Sequence, residues 1–194
     1  MRKISSPILV LVLLISSVAG QPAAARDKAK ARVGNAGVTV EYGQPALNGR
    51  SLEELMEKLP DDRMWRAGSE QITTFSARAA VELGGKMVPA GKYSVYVYCD
   101  ENNELSLVLN EVLGQPLVDL WAEAPAEFAQ EPWPHFAYSK EIADKEVVRV
   151  PMTKTRSAAE HDRFNFAFAE HGDETLLTMS WGDQSWSVPL KPAP

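Results

Sequence analysis

The feature that most constrains this chain is an apolar alternation of period two. Tyr93, Val95, Val97 and Cys99 fall in phase with Ser94, Tyr96 and Tyr98 between them, and after the polar turn DENN the run ELSLVLN puts Leu105, Leu107 and Leu109 in phase again. Successive side chains of a strand point to opposite faces, so two such runs joined by a short polar turn form an antiparallel pair with a buried side. The same period recurs at Val38, Val40 and Tyr42, over 72–76, 79–83 and 86–88, at EVVRVPM, at Phe164, Phe166 and Phe168, and at Leu177, Met179 and Trp181. The turn GDQ is expected to close a last hairpin into Trp186, Val188 and Leu190. About ten short strands, mostly alternating, imply an all-β fold, an antiparallel β-sandwich or open barrel of jelly-roll-like kind.

Two stretches depart from that period. Ser51 followed by LEELMEKL, with Glu54 three residues on, carries a capping box and predicts one short helix near the N-terminus, stopped by Pro60. From Glu111 to Lys145 prolines and acids break the pattern, which implies a long excursion across the sheet with a short helix near 122–129. Within it PWPHFAY (132–138) reads either as a lid over the open end of the core or as a set of exposed aromatics for stacking on sugar rings. The hairpin turn at ELGG leads to a corner at Pro89 and Gly91.

The chain begins with Arg2 and Lys3, a continuous apolar run from Ile8 to Ile15, then small residues and three alanines at 23–25. This is the layout of a secretory signal peptide over 1–25, with cleavage after Gly20 or Ala25 and Ala25 preferred. The apolar run is too short for a span, which needs roughly 20 residues. Its removal takes away two cations and no acids, so the formal charge moves from −6 to −8. An acidic domain repels nucleic acid and anionic lipid. Arg26, Lys28, Lys30 and Arg32 read as a solvated mature N-terminus. The single cysteine, Cys99, lies far from the cleavage point, so the chain is expected to be exported to the periplasm or beyond and not to be a lipoprotein. No intrachain disulfide is possible, and Cys99 reads as a core thiol. One domain over 26–194 is expected, with no transmembrane span after cleavage.

The segments VTVEYGQPALNGR, MWRAGSEQITTF, GGKMVPAGKYSVYV and LSLVLN, in that order, resemble the bacterial domain-of-unknown-function 2911 family (DUF 2911). The resemblance is carried by Tyr42, Pro45, Gly49 and Arg50, by Trp65, Arg66, Gly68, Glu70 and Thr73, and by 89–93. Ser69 stands where an asparagine would normally follow the glycine, and no tryptophan precedes LVLN. Such proteins are typically exported and uncharacterised, so the resemblance implies an envelope address and no reaction.

The Trp65 block is the candidate site, because it delivers polar residues to one end of a sheet. Arg66 offers a planar fork of donors to a carboxylate or phosphate, and Glu70 is its partner or a general base. Arg66 and Glu70 could equally tie the loop to the sheet as a pair, and Trp65 could plug the core. Arg50 and Asn110 are candidate further members of the cluster. His135, His161 and His171 form no close pair, and no nucleophile, phosphate-loop or dinucleotide motif is present, so no metal and no cofactor are expected. The leading expectation is a non-catalytic module binding a small molecule, glycan or envelope protein, with no nucleic acid partner. The alternative is a hydrolase or isomerase with Glu70 as base and Arg66 as anion clamp.

Overall fold

The computed structural model describes residues 26–194, and in it the alternating runs become antiparallel sheets packed face to face. In chain order the elements are β1 (Arg26–Val33), β2 (Ala36–Gly43), α1 (Leu52–Met56), β3 (Met64–Trp65), β4 (Thr74–Ala77), β5 (Val81–Leu83), β6 (Lys86–Val88), β7 (Gly91–Cys99) and β8 (Leu105–Asn110). They continue as β9 (Gln115–Pro116), α2 (Leu117–Leu120), β10 (Pro132–Trp133), α3 (Tyr138–Glu141), a 3-10 turn (Ala143–Lys145), β11 (Glu146–Pro151), β12 (Thr153–His171) and β13 (Glu174–Pro192). One sheet runs β1-β2-β4-β7-β8-β11, with β3 also paired to β7, and the facing sheet runs β12-β13-β5-β6. At the margins β1 lies beside β12 and β11 beside β6, but no ladder joins the sheets, so the fold is a sandwich and not a closed barrel. The signal segment lies outside the described residues. Among those described, no helix is long and apolar enough to cross a membrane.

The register of β7 on β8 pairs Val95 with Leu109, Val97 with Leu107 and Cys99 with Leu105, so both inward sets meet in the core. The facing sheet supplies Phe164, Phe166, Leu177, Met179, Trp186, Val188 and Leu190. Gly84 and Gly85, at φ 56° and 80°, make the tight turn between β5 and β6, since both central positions need the left-handed region.

Three expectations are corrected. The basic residues from Arg26 to Arg32 are not a free tail. Ala29, Ala31 and Val33 alternate with them and face the core, so the segment pairs with β2 as an edge strand, and Arg26 and Lys28 lie 3.7 and 3.2 Å from Glu41. Charged edge strands of this kind resist edge-to-edge pairing. Second, GDQ does not turn the chain, because β13 runs unbroken opposite β12. Leu177, Met179 and Trp181 are odd-numbered and Trp186, Val188 and Leu190 even-numbered, yet all are buried. The change of phase is absorbed where Gly182 sits at φ 59° and the register with β12 slips. Third, residues 122–129 form turns, and the helical turns of the excursion lie at α2 and α3 instead. Pro125 and the preceding turn leave no room for a continuous helix.

The excursion crosses the outer face of the large sheet. Tyr96 and Val108 point away from the core and are covered by Tyr138 and Ile142, which makes a second, smaller apolar layer.

Candidate functional site

The polar end of the large sheet opens into an apolar cleft of about 360 Å³. Its outer wall is α1 and the following turn, with Leu52, Leu55, Met56 and Leu59 facing inward. The helix starts as the capping box predicts, with Glu54 N–H donating to Ser51 Oγ at 3.1 Å and Ser51 N–H to Glu54 Oε2 at 2.8 Å. Only Leu52 of α1 is fully buried; the rest of its apolar face borders the cleft. The floor is Phe164, Met179, Trp181 and Trp186, and the inner wall is Trp65, Tyr96, Val97, Cys99 and Leu105. Arg50, Lys58, Arg66, Ser69, His135 and Phe136 complete the lining.

Trp65 is half-buried and stacks on Trp181, with centroids 5.4 Å apart and planes 13° from parallel, while its edge meets Phe164 at 4.9 Å. It plugs the core and walls the cleft together. The loop after it is tightly folded: Ala67 and Glu70 have φ of 51° and 56°, and Thr73 Oγ1 donates to the Ala67 carbonyl at 2.9 Å. A Cβ on Gly43 would collide with the Ser69 carbonyl, so glycine there lets the loop lie against β2. Non-glycine residues in the left-handed region persist only where their surroundings hold them.

Arg66 lies against two rings of the excursion, 5.8 Å from the centroid of Trp133 and 5.4 Å from that of Phe136. Burial lowers its pKa from the ordinary arginine value, opposed by the field of Glu70 and then Tyr96. No carboxylate lies within 4 Å of its guanidinium among the described residues. Glu70 therefore acts on Arg66 through space, and it does not line the cleft. Arg50 does reach the rim, but its Nε and Nη2 donate to the Leu47 and Ala46 carbonyls at 2.8 Å each, so part of its fork holds its own loop.

Asn110 does not join this group. It is fully buried under the excursion, where Nδ2 donates to Tyr138 Oη at 3.1 Å and to the Ile142 carbonyl at 2.8 Å, and Oδ1 accepts the Val112 N–H at 2.9 Å. It fastens the excursion to the end of β8. Cys99 is buried beneath the cleft, with Arg63 Nη2 3.2 Å from its sulfur. Among the described residues no set of three or more His, Cys, Asp or Glu side chains is placed to hold a metal ion.

The sequence offered PWPHFAY as a lid or as a set of stacking aromatics, but did not place His135 and Phe136 beside Arg66 in the site. PWPHFAY behaves as a lid: β10 anchors it on β9, the His135 N–H donates to the Tyr96 hydroxyl at 3.0 Å, and His135 and Phe136 close one end of the cleft. The signal available was Tyr96, a large side chain on the outward phase of β7 that needed a cover. Two buried donors of the lining, Ser69 Oγ and Trp186 Nε1, have no hydrogen-bond partner, and neither has Trp133 Nε1 beside Arg66.

The family model described as a protein of unknown function (DUF2911) matches residues 24–190, and the chain belongs to that family. No curated protein and no solved structure matches it.

Proposed function

We propose that this member of the DUF2911 family is an exported binding module that holds a small molecule in the cleft between α1 and the Trp65 loop, and that it does so without catalysis. The observation that carries the reading is the cleft itself: an apolar, aromatic-floored hollow with a few convergent polar groups, two of them buried donors without partners. Ligand sites have this composition and this scale of volume, whereas a buried donor left unpaired destabilises the fold that contains it. The excursion supports the same reading, since it covers one end of the hollow without filling it.

Base catalysis by Glu70 finds less support, because Glu70 stands outside the cleft lining. The envelope address rests on the N-terminal segment, and mass spectrometry of the exported protein tests it: a chain beginning at Gln21 or Arg26 is expected, and an intact Met1 would contradict it. The binding reading is tested by titration with the fluorescent apolar dye 1-anilinonaphthalene-8-sulfonate. One saturable site is expected, lost in Leu55→Trp, which fills the hollow with a ring. An unsaturable response, equal in both proteins, would count against it.

A further inference from the structure

We propose that the ligand is an amphiphilic monoanion, a carboxylate on a hydrocarbon body, seated with its head on Arg66; the inference rests on the binding reading above and adds the class of molecule bound. The sign of the charge comes first. The chain carries 26 acidic residues against 20 basic ones, yet the ionic residues lining the cleft are Arg50, Lys58 and Arg66, with no aspartate or glutamate. Glu70 and Glu141 stand outside that lining, although their fields reach Arg66 and Tyr96, so the lining itself favours an anion over a cation.

Arg66 fixes where the head goes. Its guanidinium is held against Trp133 and Phe136 and has neither a hydrogen-bond acceptor nor a carboxylate within reach among the described residues. Packing against rings restrains the side chain while leaving its planar fork free, and that fork matches a carboxylate bidentately. Two hydroxyls of the same lining add donors. Ser69 Oγ is cut off from solvent without a partner, and the Tyr96 hydroxyl, which already accepts from the His135 N–H, has no described acceptor for its own proton. A carboxylate has about four acceptor sites, enough for the arginine fork and for the Tyr96 hydroxyl, which lies within the field of Arg66.

The remaining surface specifies the body. Beyond the head the lining is Leu55, Met56, Met179 and the stacked pair of Trp65 and Trp181, which offer an alkyl chain dispersion contact, with Trp186 Nε1 as the one unpartnered donor there among the described residues. A hollow of about 360 Å³ is on the scale of sites that hold small organic ligands, and a ten-carbon chain serves as the probe.

Calorimetric titration of the exported protein with decanoate, decan-1-ol, decyltrimethylammonium, decyl phosphate and acetate tests the assignment. Decanoate is expected to bind one to one, at least tenfold more tightly than the alcohol, with no binding of the cationic amphiphile or of acetate. Arg66→Gln is expected to lose tenfold or more for decanoate while leaving the alcohol unchanged, and Arg66→Lys to recover part of that loss. Should Arg66→Gln fail to fold, Lys58→Gln at the exposed rim is expected to weaken decanoate about twofold and to flatten its salt dependence. Equal affinity for decanoate and decanol, or an unchanged decanoate affinity in both variants, would overturn the anionic head while leaving the binding cleft standing. Tenfold tighter binding of decyl phosphate would overturn the carboxylate assignment. Failure of every amphiphile, alcohol included, would remove the cleft reading as well.

Discussion

Trp65 on β3 and Trp181 on β13 stack 5.4 Å apart, planes 13° from parallel, and so add a stacked contact at the mouth of the core to the edge-on contacts that Trp65 and Tyr42 make with Phe164 across the two sheets. Each strand belongs to a different sheet, and the pair lies where the cleft begins. Residues that shape the site thus also close the sandwich.

Removing that ring is expected to be costly. Trp65→Ala should lower stability by about 3 kcal/mol, since large aromatic truncations in cores cost about 3–5 kcal/mol and Trp65 is only half-buried. Trp65→Phe, which keeps a ring against Phe164, should cost less than about 1.5 kcal/mol. Urea unfolding reads both. A loss below about 1 kcal/mol in the alanine variant would show that the stack does not hold the sheets.

Arg66 should matter less to stability. A buried ion pair broken on one side costs about 3–5 kcal/mol, but Arg66 has no such pair among the described residues. Arg66→Gln removes two ring contacts but no ion pair, and is therefore expected to cost about 1–2 kcal/mol. A loss of 3 kcal/mol or more, on the scale of a broken buried pair, would restore the structural reading of this residue.

Much of this arrangement is legible in the chain. Alternation places the core strands because burial of one face enforces the period, and the capping box places α1 because Ser51 and Glu54 are three residues apart. The strand at Arg26–Val33 was hidden because its inward set is only alanine and valine, too weakly apolar to outweigh four cations. The continuity of β13 was hidden because a glycine bulge and a turn share the same residues. Within the site, Trp65, Arg66 and Arg50 do meet at the cleft, but Glu70 and Asn110 do not. Proximity to the sheet end does not bring side chains together: Asn110 is out of phase with Leu105, Leu107 and Leu109 and lies on the outer face, bonded to Tyr138.

Asn110→Ala should separate fold from function. It leaves the Val112 N–H without its acceptor, a stranded group costing about 1–3 kcal/mol, and takes one of two partners from the Tyr138 hydroxyl, which keeps Glu146, and from the Ile142 carbonyl, which keeps the Lys145 N–H. Calorimetry is expected to show a melting point several degrees lower, with dye affinity in the cleft unchanged. Loss of dye binding at full stability would place Asn110 in the site after all.

Alkaline pH should loosen the same layer. Burial raises the Tyr138 hydroxyl to about 12, against the hydrogen bond from Asn110 and aided by the charge of Glu146, while an unfolded tyrosine titrates near 10. Tyr96 is likewise raised by burial. Between those values the folded protein keeps protons that the unfolded chain releases, so this contribution is intact below about pH 10 and is lost as pH rises toward 12. Urea unfolding at pH 9, 10 and 11 should show falling stability, with a shallower fall in Tyr138→Phe. Identical slopes in the two proteins would contradict this.

The binding cleft is tested most directly by the indole N–H resonances of the five tryptophans, followed by nitrogen-15 NMR during addition of decanoate. Trp65, Trp181 and Trp186 line the cleft, whereas Trp121 is about half exposed and lies outside the lining. The expected result is saturable shifts at the three lining indoles, largest at the unpartnered Trp186, with Trp121 unmoved. Shifts at Trp121 alone, or none at any indole, would contradict a ligand site in this cleft.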